Sequence, residues 1–391
     1  MPTYADVLAA HRDGTETAAS TSSASATHDE PDGARQGTAK RKRAKKNRFI
    51  TATEGTLWPW NDSLGMAAYE SKEQRLHDEI VAYVSYIIPT DQERRAREKI
   101  VTRVRDVVRK RFPKANLAMF GSTAQNLNLP DSDIDLAMTV PGELDFEARK
   151  RVLFQLSAAL NNSLLTRDSF VRHRARVPII SLTTVPELGS FKVDISVNST
   201  DGVKAVPIIK DYIDKMPALR YLVMVLKGYM SRLRLNNASE GGLSGYSIIC
   251  LAISFLQLNP KKIHLDEIEK PLERESLGRL VLAFLDYYGN EFDYEDSCIS
   301  ITNGGLVSKE DRGWQMPSLP EHLSIECLVN PDHDIGRPTG KIKQVRTAFR
   351  EAHYVLHSYP FAITHSNILG TILGISPEVR VVLTLPDFGR T

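Results

Sequence analysis

Apolar residues recur along the chain with two different periods, and the change between them divides the sequence into regions. From Glu93 to Phe112 the spacing is helical, with nine Arg and Lys side chains on the other faces. Pro113 ends this helix, and short runs with strand-like alternation or β-branched residues follow it. A helical pattern near Asp145–Leu160 separates the second run from the third. We predict strands at Asn116–Phe120, Ile134–Met138, Arg176–Thr183 and Phe191–Val197.

From Val206 onward the pattern is helical again, with Pro217 at a helix start and Ser244 in position to cap one. The helices before and after the sheet are expected to form one second domain, which gives an α+β fold. We predict helices at Pro217–Leu235, Gly245–Leu258, Arg274–Tyr288 and Gly340–Ser358. The expected ranges are 55–112 and 206–375 for the helical domain, 113–205 for the sheet domain and 376–391 for a C-terminal segment.

Residues 1–48 have few large apolar side chains, and Ala, Ser and Thr dominate between Thr15 and Thr27. Such a segment cannot bury enough surface to offset its ordering entropy, so we expect a disordered tail. It ends in Lys40–Arg48, with seven basic residues in nine. This run is typical of a nuclear-import signal, of a basic arm that contacts RNA phosphates, or of a solvated charge run with no reader.

Composition narrows the class of protein. The 50 Lys and Arg nearly balance the 48 Asp and Glu, so a nucleic acid would be held by a local patch and not by bulk charge. Three widely spaced cysteines exclude a disulfide framework and CxxC zinc ribbons, and they favour a reducing compartment. There is no apolar run of about 18 residues and no signal-peptide pattern, so we expect a soluble intracellular protein without membrane association.

Two aspartates at strand spacing carry the first chemical signal. Asp133 and Asp135 are two residues apart, which in a strand places both carboxylates on one face. Like charges on one face repel, but a divalent cation reverses that repulsion. Gly121 and Ser122 follow the preceding strand, where a glycine lets the backbone approach a phosphate and a hydroxyl can donate to it.

A third carboxylate is expected from a neighbouring strand, and Asp194 between Val193 and Ile195 supplies it. Three carboxylates around two metal ions form the clamp used for in-line phosphoryl transfer. The alternative is structural, with Asp133 in a turn and Asp194 paired with an arginine. Because the Gly-Ser pair accompanies all three acids, we favour the metal site, and we assign Asp131 and Ser132 to the turn.

The pattern of Gly-Ser, ten residues, Asp-Ile-Asp and a later strand aspartate resembles the DNA polymerase β-like nucleotidyltransferase superfamily. Within it, the chain is most similar to the noncanonical poly(A) polymerases of the Trf/Cid type, from about Gly55 to about Leu373. That similarity includes the segments Leu222–Lys227, Leu235–Asn237, Gly241–Ser247 and Asn330–Arg337. It implies a catalytic palm inserted into a helical central domain, with the nucleoside triphosphate in the cleft between them.

Carried over residue by residue, the resemblance implies roles for the motif positions. Asp133, Asp135 and Asp194 would bind two Mg²⁺ ions, with Mn²⁺ as a possible substitute. Gly121 and Ser122 would meet the triphosphate.

The central-domain residues also have a chemical interpretation. Lys227 lies on a mostly apolar helix, where it either binds a triphosphate or extends to solvent. Tyr246 follows glycines at a helix start, so its ring can stack under a nucleobase or pack in the core. Ser244 can bond a phosphate or cap the helix.

Asp332, His333 and Asp334 crowd polar groups into a loop that the resemblance implies is the nucleotide-recognition loop, although by residue type alone it is a plain surface turn. Cys327 and Leu328 stand where the family usually has an acidic residue and a proline. His333 stands where adenylating members commonly carry Asn and uridylating members can carry His. Base choice is therefore the open question.

The leading hypothesis is a template-independent RNA 3′-end nucleotidyltransferase that adds AMP from ATP. The alternatives are a terminal uridylyl- or cytidylyltransferase and an RNA-binding scaffold with a retired active site. The resemblance implies nuclear RNA processing and surveillance in a TRAMP-like complex, with a zinc-knuckle RNA-binding protein and a nuclear RNA helicase as partners. Since no RRM, KH or zinc-knuckle pattern appears, we expect weak, salt-sensitive binding of RNA 3′ ends, with selection left to those partners.

Overall fold

The computed structural model describes residues 60–61, 64, 69–175, 177–360 and 367–374. The predicted tail at 1–48 and the predicted segment at 376–391 lie outside the described residues. The helices are α1 (Lys72–Ile87), α2 (Asp91–Arg111), α3 (Gly121–Ala124), α4 (Phe146–Asn161), α5 (Asp201–Lys215), α6 (Pro217–Arg232), α7 (Gly245–Leu258), α8 (Leu265–Glu269), α9 (Leu277–Asp286), α10 (Ile342–His357) and α11 (Ile368–Leu373). The strands are β1 (Asn116–Phe120), β2 (Ile134–Thr139), β3 (Thr166–Arg172), β4 (Ile179–Thr184), β5 (Lys192–Val197), β6 (Ser297–Ser300) and β7 (Gly305–Ser308).

The first five strands form one mixed sheet in the order β1-β2-β5-β4-β3. Only the β2–β5 pair is parallel, and the other three pairs are antiparallel. The four strands predicted from sequence are all present. The sequence analysis missed β3, which is an edge strand with polar residues at most positions and one bonded neighbour, so it lacks a clear hydrophobic pattern.

One face of the sheet is covered and the other is open. Ile134, Leu136, Val193 and Ile195 are fully buried against helices α2 and α4. Side chains alternate along a strand, so the residues between them point to the opposite face. As predicted, Asp194 lies on the face opposite Val193 and Ile195.

Helix α2 packs on the sheet, although the sequence analysis grouped residues 55–112 with the helical domain. Its buried side chains, among them Ile100, Val104 and Val108, pack in the core of the sheet. Helix α1 instead packs on α9 and α11 of the helical domain, and its Glu79 accepts a hydrogen bond from the Leu369 amide at 2.7 Å. The chain passes between domains near Thr90, whose side chain begins α2 through a capping box with Glu93.

The helical domain is built on buried apolar helices and a cluster of aromatic rings. Phe284 contacts the rings of Phe255, Tyr288 and Phe349 at centroid distances of 5.5, 4.8 and 5.7 Å. The predicted helices of this region are present, with a hairpin of β6 and β7 that the sequence did not predict. Across the described residues, every helix is too short or too polar to span a membrane.

Candidate active site

The open face of the sheet and the helical domain enclose a cleft of about 1760 Å³. Most of the residues that the sequence singles out line it. They are Gly121, Ser122, Asp133, Asp135, Asp194, Lys227, Ser244, Tyr246 and His333. The arrangement agrees with a nucleotide site between a palm and a central helical domain, so we use those two names below.

The three aspartates come together on two adjacent strands. Asp135 and Asp194 are direct partners across the parallel pair β2–β5, and Asp133 directly precedes β2. Burial, followed by the charges of Asp194 and Asp133, raises the pKa of Asp135 to about 7 against the opposing effect of Lys227. Burial and then Asp194 also raise the pKa of Asp133. This wall of the cleft therefore concentrates negative charge that nearby cations such as Lys227 offset only in part.

The donor chemistry of these residues fits a hard divalent cation, because such ions prefer carboxylate oxygens. Within the described ranges, no three His, Cys, Asp or Glu side chains form a ready-made metal cluster. Three like charges repel one another, which favours an open arrangement of the carboxylates over a closed one. Asp133, Asp135 and Asp194 remain the residues that would hold the predicted ions.

Gly121 is required by its close approach to Asp135. Its φ is +66°, and a Cβ atom there would lie 2.2 Å from Oδ2 of Asp135. Any other residue would combine backbone strain with a clash against the partly buried Asp135 carboxylate. The sequence analysis explained this glycine by the approach of a phosphate. The structure adds a second reason, which is the space that the Asp135 side chain occupies. Contact of Gly121 and Ser122 with a triphosphate stays a prediction.

Arg97 is a site residue that the sequence analysis missed. It is only 3% exposed, and it donates to the carbonyls of Ser132 at 2.8 Å and Pro130 at 3.0 Å. Its guanidinium also lies 5.0 Å from the ring centroid of Phe191. These contacts fix the turn that leads into Asp133, and this turn includes Asp131 and Ser132 as predicted.

A sequence signal for Arg97 did exist. The predicted helix was treated as an apolar stripe with nine solvated cations around it. Arg97 falls on the stripe itself, four residues before Val101 and seven before Val104. A cation on the buried face of a helix requires acceptors inside the protein, and here these are backbone carbonyls.

Lys227 links the two domains at the floor of the cleft. Its Nζ donates to the Leu127 carbonyl at 2.6 Å, while Arg220, two turns earlier on α6, donates to the Asn126 carbonyl at 2.8 Å. Burial lowers the pKa of Lys227 to about 8, against the opposing charge of Asp135. An ammonium group has three donors, so the bond to Leu127 leaves others for an anion in the cleft. The predicted contact with a triphosphate is not tested.

Helix α7 begins beside Lys227, where a Cβ atom on Gly245 would lie 3.7 Å from Cε of that lysine. Ser244 caps it by accepting from the Ser247 amide at 2.9 Å, which is one of the two roles predicted for this serine. The Tyr246 hydroxyl accepts from the Leu328 amide at 3.2 Å and lies 3.7 Å from Sγ of Cys327. The segment that departs from the usual family pattern therefore anchors the ring that was predicted to stack on a base.

Asp334 organises the predicted recognition loop from inside. Its buried carboxylate accepts from Ser324 Oγ at 3.1 Å and from the amides of Ile325, Gly336 and Arg337 at 3.0, 2.8 and 3.1 Å. These donors occupy most of its acceptor capacity. Asp334 therefore shapes the loop, and its oxygens are not free to read a base.

The two preceding residues lie on different sides of the same loop. The side chain of Asp332 is 90% exposed and lies 3.7 Å from Arg312, so the structure does not bring it to the cleft. His333 is exposed and lines the cleft, with its ring nitrogens 3.4 Å from the Asn330 amide nitrogen. Of the three polar groups that the sequence proposed for base recognition, His333 is the one whose side chain is exposed and lines the cleft, and its role toward a base stays a prediction.

Comparisons with known proteins agree with this geometry. The family described as poly(A) RNA polymerase, mitochondrial-like, central palm domain matches residues 76–214, and the Cid1 family poly A polymerase matches residues 276–333.

Curated relatives extend over most of the described chain. It is 33% identical over 351 residues to poly(A) RNA polymerase cid14 of Schizosaccharomyces pombe, across 86% of this chain and 50% of that protein. It is 33% identical over 313 residues to poly(A) RNA polymerase protein 2 of Saccharomyces cerevisiae, across 78% and 52%. The chain thus spans about half the length of these two relatives. It is also 34% identical to the inactive noncanonical poly(A) RNA polymerase protein Trf4-2 of Drosophila melanogaster, across 78% and 73%.

Solved structures show the same architecture. The polymerase core of TRAMP, described as an RNA surveillance complex, matches with a TM-score of 0.71 and 30% identity, across 82% of this chain and 100% of that one. The Cid1 poly(U) polymerase matches with a TM-score of 0.62 and 21% identity, across 76% and 98%, which shows the fold alone. From the sequence motifs, the cleft and these matches together, the chain belongs to the noncanonical poly(A) polymerases of the Cid14/Trf4 type.

Proposed function

We propose that this protein is a template-independent RNA 3′-end nucleotidyltransferase that adds AMP from ATP. The observation that supports this most directly is the pairing of Asp135 with Asp194 across β2 and β5, with Asp133 beside them. Three neighbouring carboxylates on one open sheet face repel one another, which is costly for stability and useful for phosphoryl transfer. The Drosophila relative is called inactive, but this chain retains the three acids, which favours an enzyme over a scaffold.

The residues divide the reaction between the two domains. Asp133, Asp135 and Asp194 would hold two Mg²⁺ ions, or Mn²⁺ in their place, and bound ions supply activation of the 3′-hydroxyl and charge neutralisation on the departing pyrophosphate. Gly121 leaves room beside Asp135 for the backbone turn that faces the triphosphate. Lys227 supplies a positive charge opposite the acids, and Tyr246 presents its ring to the base from the helical domain.

The choice of ATP rests on a narrower argument. Asp332 points to solvent and Asp334 is used inside its loop, so neither supplies the acceptor that would match the adenine amino group. His333 can accept from adenine or donate to uracil, depending on its tautomer. The relatives named poly(A) polymerases favour ATP. A preference for UTP is the second candidate, because His333 is exposed in the cleft and can present an N–H to the uracil carbonyl.

Nuclear action with RNA as substrate is part of the same proposal. The similarity to the TRAMP polymerase core supports assembly with a zinc-knuckle RNA-binding protein and a nuclear RNA helicase. We assign nuclear import to the basic run at Lys40–Arg48. Removing residues 1–48 is expected to reduce nuclear accumulation of a tagged protein. Full accumulation without them would assign import to another segment or to a bound partner.

The test is extension of a labelled RNA by the full chain with Mg²⁺ and each nucleoside triphosphate separately. We expect the fastest extension with ATP. Faster extension with UTP or CTP would replace the adenylyl assignment by the corresponding transferase. If the protein is folded and binds RNA but incorporates none of the four nucleoside triphosphates, the scaffold alternative replaces the enzyme.

A further inference from the structure

The open sheet face continues beyond the catalytic acids toward the edge of the palm. Strand registers align Phe120, Asp135, Asp194, Ser181 and Phe170 in one row across all five strands. Neighbouring strands lie about 4.8 Å apart, so Phe170 is about 10 Å from Asp194 along this row. At about 3.4 Å for each stacked nucleotide, that distance corresponds to two or three nucleotides.

Phe170 is unusually placed for an aromatic residue. Its side chain is 67% exposed, lines the cleft and stacks on no other ring among the described residues. Its neighbour Val171 packs against the palm core, which turns Phe170 and Arg172 to the cleft side of β3. An exposed ring on a cleft wall contributes little to folding and offers a face for stacking.

The side chains near Phe170 include several arginines that form no ion pair within the described residues. Arg149, Arg167 and Arg172 also line the cleft, and none forms an ion pair with another residue in the described part of the chain. Nε of Arg149 and Oγ of Ser181 are buried with no hydrogen-bond partner there. Asp168 is the acidic residue of this strand, so positive charge is in excess. Unpaired guanidinium groups beside an exposed ring suit a ligand that carries both phosphates and bases.

We propose that this surface, formed by Phe170, Arg149, Arg167 and Arg172, binds the RNA strand two or three nucleotides before its 3′ end. Phe170 stacks on a base, and the arginines contact the phosphates on either side. The inference rests on the proposed function, since the same row leads to the acids at which the 3′ end must arrive. It adds a binding site that accepts any sequence, because every base has a face for stacking.

The test compares primers of different length in steady-state extension with ATP. Phe170→Ala is expected to raise KM roughly tenfold for an oligoadenylate of about fifteen nucleotides. For the dinucleotide ApA, which is too short to reach β3, KM should be unchanged, as should KM for ATP. Phe170→Trp should retain tight binding of the long primer. Phe146→Ala is the matched control, because Phe146 is another exposed palm phenylalanine, at 56%, and does not line the cleft.

Salt dependence tests the arginines separately. Arg172→Ala should lower the slope of log KM against log salt by about 0.7 for the long primer, the value for one phosphate contact on a single strand. Arg109→Ala on the exposed side of α2 should leave it unchanged.

Three outcomes would overturn this inference. One is an unchanged KM of Phe170→Ala for the long primer, which would leave the surface to a protein partner. Another is an equal rise in KM for ApA and for ATP, which would mean that Phe170 shapes the active site itself. If the unmodified protein extends nothing, the proposed function fails. In that case, fluorescence anisotropy with the labelled long primer tests the RNA-binding surface independently of catalysis. Equal affinities of the unmodified protein and Phe170→Ala for this primer would reject the proposed surface.

Discussion

The two walls of the cleft differ in how their acidic side chains are neutralised or hydrogen-bonded. On the palm wall, Asp135 and Asp194 face each other across adjacent strands, and burial with mutual repulsion raises the pKa of Asp135 to about 7. On the helical-domain wall, Asp334 is also a buried acid, but four donors surround its carboxylate. Unsatisfied charge therefore marks the wall where chemistry is expected, and satisfied charge marks the wall that provides shape.

The largest expected effect comes from removing charge on the palm wall. Asp135→Asn should reduce the rate of RNA extension by about a thousandfold or more, because the residue is a proposed metal ligand. Its Tm should not fall, since one of three mutually repelling charges is removed. Extension gels and thermal melts of the same preparation check both parts.

Asp131→Asn is the control for Asp135→Asn. Asp131 lies in the turn that Arg97 holds through backbone carbonyls, so its side chain is not needed for that turn. We expect the variant to retain most of its extension rate. Substantial activity of folded Asp135→Asn would contradict the assignment of the palm wall.

The next largest effect is expected from filling the space beside Asp135. Gly121→Ala combines a positive φ with a Cβ placed 2.2 Å from a carboxylate oxygen, so it should displace Asp135 and lower the extension rate about a hundredfold. Gly142→Ala separates strain from clash, because Gly142 also has a positive φ, +86°, but open space around it. A loss of activity as large in Gly142→Ala would show that backbone strain alone accounts for the result.

On the helical-domain wall we expect a substitution to lower the free energy of unfolding more than it lowers the extension rate. Asp334→Ala leaves three amides and a hydroxyl without their acceptor, which should lower the free energy of unfolding by about 3 kcal/mol. Chemical denaturation measures this change, and Asp332→Ala, at an exposed position in the same loop, should change it little. If Asp334→Ala is as stable as the unmodified protein, the loop is held by other contacts.

The smallest expected effect concerns the choice of nucleobase by His333. His333→Asn should leave the rate with ATP within about twofold and lower any residual use of UTP, because Asn offers both a donor and an acceptor at the same place. Competition between ATP and UTP in one reaction measures the ratio directly. A large loss of ATP incorporation would assign His333 a role beyond base choice.

The palm wall could be predicted from sequence because strand alternation alone sets its geometry. Two aspartates at i and i+2, and a third between β-branched residues, had to share the open face once the strands paired. The helical-domain wall could not be predicted in the same way. Whether Asp334 faces a base or its own loop depends on donors that are brought near only by folding, such as Ser324 and the amide of Ile325.

Arg97 and strand β3 show two other limits of sequence reasoning. Arg97 was hidden by composition, since eight other cations share its helix and only its position on the apolar stripe distinguishes it. Strand β3 was hidden by its place at the edge of the sheet, where Arg167, Asp168 and Arg172 are exposed and no buried run appears. In both cases the structure depends on which groups lie next to the residue in the fold, and the residue type alone does not reveal this.

The parallel pairing of β2 with β5 also constrains how the protein matures. These strands are neighbours in the sheet, yet α4, β3 and β4 lie between them in the chain. Because β5 is inserted between β2 and β4, it completes both halves of the sheet at once. A nascent chain that has not yet emerged beyond Val197 therefore holds Asp135 without the complete strand that carries Asp194. The proposed active site can form only after β5 has left the ribosome, and no fragment of the palm that lacks β5 is expected to be active.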